Sequence, residues 1–208
     1  MNSQATPDIR FITLEGLDGC GKTAQIDGVV DFCEHHNPRG VVVTREPGGT
    51  ELGERIRHIL LDHGSVDADA ELMLLFASRI QHVRTVIAPA LARSQTVVCD
   101  RYIDATYAYQ GYGRGLPLTV IDSLVALFTL PPPHLTLFFD VSVHTAAIRR
   151  GERPADRIEA ENEGFFERVR KGYLERAKND PDRIVVIPSH GSLDQVSHAV
   201  EAALSARC

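Results

Sequence analysis

Short apolar runs rich in β-branched residues alternate along this chain with longer stretches in which apolar side chains recur every three to four positions. The short runs predict five β-strands, at residues 9–14, 40–44, 96–100, 135–140 and 183–187. The second, third and fourth runs lack polar alternation, which is typical of parallel strands buried on both faces. The longer stretches predict helices at about 24–32, 51–62, 70–92, 117–129, 142–149, 159–179 and 192–206. This alternation predicts an α/β fold in three layers, a five-stranded parallel sheet flanked by helices.

Length and composition favour one domain. The chain has 208 residues, of which 43% are apolar and 24% charged, proportions that are ordinary for a soluble globular protein. We expect residues 1–7 to form a flexible tail and residues 8–208 a single domain, because no repeat, low-complexity tract or linker interrupts them. The prolines at 131–133 are interpreted as the stop between a helix and the fourth strand.

Charge and cysteine content restrict the partners and the compartment. The net charge of −6 argues against a sequence-independent nucleic-acid binder, and no apolar run reaches the roughly 18 residues of a membrane span. The first residues have neither the basic nor the apolar part of a signal peptide. The four cysteines are widely spaced, which predicts reduced thiols in a cytoplasmic protein. Cys20 is either a small loop residue, which we favour, or a redox sensor.

A phosphate-binding loop follows the first predicted strand. Residues 16–23 read G-L-D-G-C-G-K-T and match G-x-x-x-x-G-K-[ST] at every fixed position. A glycine-rich turn that binds nothing is the alternative, but a strand before the loop and a helix after it favour an anion site. The loop predicts a nucleoside triphosphate ligand, with Lys22 on the β- and γ-phosphates and the Thr23 hydroxyl on Mg²⁺. The predicted nucleotide-binding residues are Gly16, Leu17, Asp18, Gly19, Cys20, Gly21, Lys22 and Thr23.

Two other strands end in polar residues at what is predicted to be the same edge of the sheet. The second strand leads into Arg45 and a glycine-containing loop, and the third ends at Asp100-Arg101. Asp100 is a candidate Mg²⁺ ligand, and the guanidinium of Arg101 suits a second phosphate. A local salt bridge between Asp100 and Arg101 is the alternative, and the nearby phosphate loop makes it the weaker one.

The helix predicted over 70–92 carries an arginine on its apolar stripe. Phe76 and Arg79 are three positions apart and therefore share a helix face. A ring that stacks and a guanidinium that donates would together bind the face and edge of a nucleobase. In the alternative interpretation Phe76 is ordinary core and Arg79 extends its guanidinium to solvent.

An arginine-rich segment at about 149–158 predicts a short lid. It contains four arginines with glycine and proline between two helices. Such a charge run is often only a solvated surface, but in a phosphate-binding chain it suits closure over the γ-phosphate. The lid arginines are Arg149, Arg150, Arg153 and Arg157.

Together these motifs resemble those of the bacterial thymidylate kinase family. The resemblance runs from Ile9 to about Ile187 and rests on E-G-L-D-G-C-G-K-T, T-R-E-P-G-G-T, L-L-F-A-S-R, D-R-Y followed by A-Y-Q-G, P-x-L-T-L-F-F-D-V, and D-R-I-E. It implies a P-loop kinase fold and transfer of the γ-phosphate of ATP to dTMP, with Mg²⁺. It also implies a homodimer, with small-molecule substrates and no nucleic-acid or membrane partner.

The resemblance also implies roles for individual residues around the base. Phe76 stacks on thymine, Arg79 donates to its O4, and Thr106 contacts the base edge. Gln110 belongs to the same predicted substrate site.

Around the sugar and phosphates, the resemblance implies that Arg101 holds the dTMP phosphate and that Tyr109 occupies the space of a ribose 2′-hydroxyl. Asp18 accepts from the 3′-hydroxyl or organises Mg²⁺, and Arg45 completes the predicted substrate residues. Position 19 is glycine, so the chain resembles the family form whose catalytic arginine lies in the lid. The predicted catalytic residues are Lys22, Arg101 and Arg153.

Two other functions remain open at the level of sequence. One is a related P-loop kinase acting on another nucleotide, a deoxynucleoside or a small metabolite. The other is a nucleotide-dependent switch such as a GTPase, which requires an N/T-K-x-D motif. The nearest match, Ala177-Lys178-Asn179-Asp180, lacks the first residue and precedes the last strand.

Overall fold

A five-stranded parallel sheet organises the fold. The computed structural model describes residues 9–62, 64–151 and 154–207. The strands are β1 (Phe11–Gly16), β2 (Val41–Arg45), β3 (Thr96–Asp100), β4 (Leu135–Asp140) and β5 (Ile184–Pro188). Their order is β2-β3-β1-β4-β5, and every neighbouring pair is parallel. The predicted sheet is thereby confirmed, while the predicted tail at 1–7 lies outside the described residues.

Helices connect the strands. They are α1 (Ile26–His36), α2 (Glu51–Leu61), α3 (Ala68–His82), α4 (Ala88–Ala92), α5 (Ile103–Thr106), α6 (Leu118–Phe128), α7 (Val143–Arg150), α8 (Glu163–Asn179) and α9 (Leu193–Ser205). A 3₁₀ turn at Lys22–Gln25 leads into α1. A π-helical segment at Val83–Ile87 joins α3 to α4, so the predicted helix over 70–92 is one continuous helical stretch. A second π-helical segment, Tyr107–Gly113, continues α5.

Side-chain hydroxyls and amides set where several helices begin. The Thr50 hydroxyl accepts from the Gly53 N–H at the start of α2, and Asn162 accepts from the Phe165 N–H at the start of α8. Such caps satisfy backbone donors that have no partner within the helix. The Thr50 cap fixes the first turn of α2, the helix that carries a cavity-lining arginine described below.

The two faces of the sheet pack against different helices. Along β1, Phe11 belongs to a buried cluster with Leu72 of α3, whereas Ile12 and Leu14 belong to the cluster that contains Val29 of α1. This alternation is the two-residue period of a strand covered on both sides. Helices α1 and α9 contact each other on one side, and α4, α5 and α8 contact the strands from the other. The three-layer α/β prediction is confirmed.

The prediction that the second strand is buried on both faces is wrong. β2 is an edge strand that pairs only with β3 among the described residues, and Val43 is half exposed. A short β-branched run has the same composition at an edge as in the centre, so the sequence could not distinguish the two. No helix in the described part of the chain is long and apolar enough to cross a membrane.

The sheet register brings the polar strand ends together. In the β1–β3 pair Leu14 lies opposite Asp100, and the Arg101 N–H donates to the Leu14 carbonyl over 2.9 Å. In the same way, the N–H of Glu46, which follows β2, donates to the Asp100 carbonyl over 2.9 Å. The segments after β1, β2 and β3 therefore meet at one edge of the sheet.

Candidate active site

The phosphate loop has the backbone that an anion site needs. Gly19 has φ of 88°, and a Cβ there would collide with the backbone oxygen of Ala146 in α7. Position 19 therefore has no room for the side chain of an arginine. Cys20 is buried, and burial raises the pKa of its thiol, which disfavours the reactive thiolate and supports the interpretation as a small loop residue.

Lys22 projects between two carboxylates. Its Nζ lies 3.9 Å from Oδ1 of Asp18 and 3.9 Å from Oδ1 of Asp100, and the residue is only 5% exposed. The ammonium is therefore held at the junction of the loop and the end of β3, where a polyphosphate in the loop would lie.

The metal prediction fits two features of this region. Oδ1 of Asp100 is buried without a hydrogen-bond partner among the described residues, and Thr23 is exposed at the start of the 3₁₀ turn. The described residues contain no group of three His, Cys, Asp or Glu that could hold an ion by themselves. A cation bound here would therefore take other ligands from phosphate oxygens and water, as Mg²⁺ commonly does.

Arg101 is fixed on several sides. Its Nη2 donates to Oδ1 of Asp18 over 2.9 Å, and its guanidinium carbon lies 5.1 Å from the ring centre of Tyr109. Its φ of 66° is the left-handed conformation that non-glycine residues rarely adopt. The alternative in which Arg101 forms a salt bridge with the adjacent Asp100 is wrong, because its partner is Asp18 of the phosphate loop.

Glu15 holds the backbone that follows Arg101, a role that the sequence analysis did not predict. It is fully buried; Oε1 accepts from the Tyr102 N–H over 2.7 Å, and Oε2 accepts from the Tyr173 hydroxyl over 2.8 Å. Tyr173 in turn accepts from Nη1 of Arg101 over 3.3 Å. Glu15 therefore braces both the backbone after Arg101 and its guanidinium. These contacts join residues about 90 to 160 positions apart, so no local pattern could reveal them.

The carboxyl group of Glu15 makes the free energy of unfolding depend on pH. Burial, reinforced by the charge of Asp104, raises the pKa of Glu15 from 4.5 to about 7, against the opposing charge of Arg101. The folded protein therefore keeps a proton that the unfolded chain has released, and Glu15 lowers the free energy of unfolding progressively between pH 4.5 and about 7. Glu15→Gln removes this titration. We expect the unfolding free energy of the variant, relative to the parent, to rise by about 2 kcal/mol between pH 5 and pH 8.

Urea unfolding of both proteins at the two pH values measures the difference. Parallel pH profiles for the parent and Glu15→Gln would contradict the buried titration.

A cavity of about 210 Å³ opens beside the phosphate loop. Its wall combines charged, polar and apolar side chains from the loop, α2, α3, α5, the π-helical segment after α5 and the segment before α8. The lining residues are Asp18, Glu46, Pro47, Arg57, Leu60, Leu61, Glu71, Leu75, Arg79, Arg101, Tyr102, Ala105, Thr106, Tyr109, Gln110, Asp156, Ile158 and Glu159. Six of the predicted site residues are thereby brought together: Asp18, Arg79, Arg101, Thr106, Tyr109 and Gln110.

Arg79 is a buried, fully oriented donor at this cavity. Its guanidinium donates to Oε2 of Glu46 over 2.6 Å, to the Thr106 hydroxyl over 2.9 Å and to the Tyr102 carbonyl over 3.1 Å. Oε1 of Glu46 pairs with Nδ1 of His82 over 2.9 Å. The alternative in which Arg79 extends to solvent is therefore wrong. Its remaining N–H groups are available to a ligand in the cavity.

The stacking role of Phe76 is wrong in this geometry. Phe76 is 0% exposed, belongs to the apolar core and does not line the cavity. Its ring lies 5.4 Å from the guanidinium carbon of Arg79 and supports that side chain from the core. Leu75, four positions before Arg79, lines the cavity instead. Spacings of three and four both place residues on one helix face, so the sequence alone did not separate them.

Arg45 also lies outside the cavity wall. Its side chain is 55% exposed and donates to Oε2 of Glu54 over 2.9 Å. Arg57, which the sequence interpretation missed, lines the cavity and donates to the Pro47 carbonyl. It shares the apolar stripe of α2 with Ile56 and Leu60, the same signal that singled out Arg79.

Arg57 and Arg101 both place positive charge on the cavity wall. Burial, together with the charges of Arg45 and Arg101, lowers the pKa of Arg57. Like charges held this close destabilise one another, and a bound anion would relieve that repulsion. These two guanidinium groups are suited to binding a phosphate.

The predicted lid arginines have different surroundings. Arg149 donates to the Ser189 carbonyl over 2.6 Å, and Arg150 lies 5.9 Å from the ring centre of Phe166. Arg157 is an anchor: it donates to the Leu60 carbonyl over 2.8 Å and to Glu71 over 2.7 Å. Arg153 lies outside the described residues, so its catalytic role stays a prediction.

A parallel sheet with a phosphate loop after its first strand, and an arginine-lined cavity beside that loop, define a P-loop kinase. Residues 14–200 match the sequence profile of the family described as thymidylate kinase. The chain belongs to the thymidylate kinase family.

Individual relatives are similar over nearly their whole length. The thymidylate kinase of Nitrosospira multiformis is 46% identical over 94% of this chain and 97% of its own, and that of Burkholderia lata is 44% identical over 95% and 98%. The crystal structure of thymidylate kinase from Ehrlichia chaffeensis superposes with a TM-score of 0.76 at 35% identity, covering 94% of this chain and 98% of that one.

Proposed function

We propose that this protein transfers the γ-phosphate of ATP to dTMP, giving dTDP and ADP for dTTP synthesis. The observation that carries the proposal is the position of Asp18. This loop residue lies 3.9 Å from the Lys22 ammonium, accepts from Arg101 over 2.9 Å and lines the cavity. The site for the donor phosphates and the site for the acceptor are therefore adjacent, as direct transfer between two nucleotides requires.

The polarity of the cavity matches a nucleoside monophosphate. Arg57 and Arg101 suit the phosphate, whereas Arg79 and Thr106 offer hydrogen-bonding groups to a base. The half-buried Leu75 supplies an apolar contact for the base, a role that the sequence predicts for the ring of Phe76.

The chemistry needs positioning and charge but no general base. The second pKa of a phosphate monoester is about 6, so the acceptor is mainly a dianion at neutral pH and already nucleophilic. The loop N–H groups and Lys22 hold the donor, and Arg101 holds the acceptor in line with it. Their positive charges offset the repulsion between the two anions and stabilise the charge that spreads over the transferred group.

Two further groups complete this proposal. Thr23 and Asp100 would hold Mg²⁺, which when bound neutralises charge on the donor phosphates. Arg153, in a lid at about 149–158, would approach the transferred phosphoryl group, since Gly19 leaves the phosphate loop without an arginine.

Measuring ADP release with a panel of nucleoside and deoxynucleoside monophosphates tests the proposal. We expect the highest kcat/KM with dTMP. A clear preference for another monophosphate would contradict dTMP kinase activity, and ATP hydrolysis indifferent to every acceptor would favour a nucleotide-dependent switch.

Discrimination against the ribose sugar should depend on Tyr109. Its ring lines the cavity and lies 5.1 Å from the guanidinium carbon of Arg101. A ribose 2′-hydroxyl packed against this ring would lose its hydrogen bonds to water, so the deoxynucleotide should be favoured by at least about tenfold. We expect Tyr109→Ala to reduce the ratio of kcat/KM for dTMP to that for its ribose analogue.

The two ratios are measured for the parent protein and Tyr109→Ala. An unchanged ratio would remove Tyr109 from the sugar site.

The remaining proposals concern assembly and location. Ile59 of α2, Met73 of α3 and Leu127 of α6 are each more than half exposed, and apolar side chains of this size suit burial in a homodimer. Sedimentation analysis tests the dimer. We further propose a single-domain, cytoplasmic protein.

A further inference from the structure

Gln110 is one of the polar side chains of the cavity wall. It lies on the π-helical segment after α5, is 3% exposed, and donates from Nε2 to Oε1 of Glu71 over 2.7 Å. Glu71 belongs to α3, the helix that also carries Arg79. Two polar side chains of the cavity wall are therefore positioned by α3. Arg79 lies on this helix, and Gln110 is held by its Glu71.

The carboxylate group of Glu71 acts only as a hydrogen-bond acceptor. Although burial favours its neutral form, hydrogen bonds from Gln110, Arg157 and Arg114 lower the pKa of this carboxyl. Nη2 of Arg157 donates to Oε2 over 2.7 Å, and Nη2 of Arg114 donates to the same oxygen over 3.2 Å. An ionised carboxylate has no proton to give.

This fixes which way the amide of Gln110 faces. If the amide rotated by half a turn, its carbonyl oxygen would meet a carboxylate oxygen, and two acceptors would be forced together without a proton between them. The nitrogen must therefore face Glu71, because the hydrogen-bond partner decides how the two amide atoms are assigned. The carbonyl oxygen is then the hydrogen-bond acceptor that Gln110 offers to a ligand.

We infer that Glu71 is a positioning residue that presents the Gln110 carbonyl oxygen to the N3–H of the acceptor base and so selects thymine and uracil over cytosine. The inference rests on the proposed function. Thymine and uracil have an acceptor at O4 and a donor at N3, which complements a donor from Arg79 and an acceptor from Gln110. Cytosine has the reverse pattern, an amino group at C4 and an unprotonated N3, and mismatches both side chains.

The decisive variant is Glu71→Gln, tested by kcat/KM for dTMP, dUMP and dCMP. A glutamine at 71 has both a donor and an acceptor, so the amide of Gln110 is no longer held in one orientation. The parent protein should prefer dTMP over dCMP by about 10³-fold or more, since a site built around a hydrogen bond rejects an analogue that cannot form it. In the variant this ratio should fall by at least about tenfold, while the ratio of dTMP to dUMP, which depends on the 5-methyl group, changes by less than about threefold.

Glu161→Gln is the matched control for a purely structural role. It removes a carboxylate that pairs with Arg114 but leaves the Glu71–Gln110 contact in place. We expect this variant to retain the parent's dTMP-to-dCMP ratio even if its stability falls. Gln110→Ala should lower the ratio as Glu71→Gln does, and adding Glu71→Gln to it should lower the ratio no further, because both changes remove one interaction.

The outcomes separate the inference from the function on which it rests. If the parent phosphorylates dTMP but Glu71→Gln slows all three substrates equally, Glu71 only anchors Arg157 and Arg114, and the inference fails. An unchanged ratio in Gln110→Ala overturns it as well, and this variant serves if Glu71→Gln does not fold. If the parent has no activity on dTMP, the proposed function itself is wrong.

Discussion

Lys22→Ala is expected to lower kcat for dTMP phosphorylation by about 10⁴-fold while the protein stays folded. The ammonium lies between Asp18 and Asp100 at the mouth of the phosphate loop, and the side chain contributes charge to the site instead of volume to the apolar core. Its loss removes a positive charge that stabilises the transferred phosphoryl group in the transition state. Steady-state kcat at saturating ATP and dTMP measures the effect.

A second lysine provides the control. Lys178 is exposed near the end of α8, so Lys178→Ala should keep kcat within about twofold of the parent, as surface changes away from a site usually do. Far-UV circular dichroism and thermal unfolding are recorded for both variants. Unfolding of Lys22→Ala under assay conditions would show that Lys22 serves the fold, and near-normal kcat would contradict its catalytic role.

Arg101→Met is expected to lower kcat/KM for dTMP by about 10³-fold, with a much smaller effect on KM for ATP. Methionine keeps much of the apolar stem but cannot donate to the acceptor phosphate. It also leaves Asp18 without the 2.9 Å hydrogen bond that holds it beside Lys22. The charge is thus lost where the acceptor phosphate has to be held close to the donor.

Arg45→Met is the matched control, because this arginine is the last residue of the neighbouring strand β2 and pairs with Glu54 outside the cavity. It should retain kcat/KM within about threefold of the parent, since exposed ion pairs contribute little. Equal losses in the two variants would show that the cluster attracts phosphate only through its summed charge and that the position of Arg101 is unimportant.

The sheet was predictable because its signals are local. β-branched runs bounded by glycine, proline or polar residues give strands, and the glycine pattern identifies the loop after β1. The sequence could not show that β2 lies at the edge, since strand order depends on contacts between distant segments. It also gave no certain sign that the segment after Arg101 is helical, although Thr106 and Tyr109 both line the cavity as that arrangement requires.

The errors in the site have a common physical origin. Phe76 was assigned to the ligand because stacking suits an aromatic ring, but the orientation of α3 turns that ring into the core and Leu75 toward the cavity. Arg45 was selected because it ends β2, whereas Arg57 reaches the cavity from α2, the helix that follows this strand. In both cases the orientation and position of the elements in the fold, and not residue type, decided which side chain lines the cavity.

The sequence analysis also failed to identify three buried carboxylates that support the cavity. Glu15, Glu46 and Glu71 each hold the side chain or the backbone of a cavity residue, and each does so through contacts between distant segments of the chain. A carboxylate in a helix or strand pattern is normally interpreted as solvent-exposed. Only the folded chain shows that these three are enclosed and paired.

The register between β1 and β3 has a consequence for how the reaction is timed. Leu14 pairs with Asp100, and the next residues of the two strands lead directly into the phosphate loop and into Arg101. The separation of the two anion sites is therefore set by backbone hydrogen bonds within a rigid sheet. Under the proposed function, bound substrates would be at their reacting distance whether or not the arginine-rich segment moves. Its closure would then regulate access of water and the arrival of one more positive charge, and the approach of the two phosphates would not depend on it.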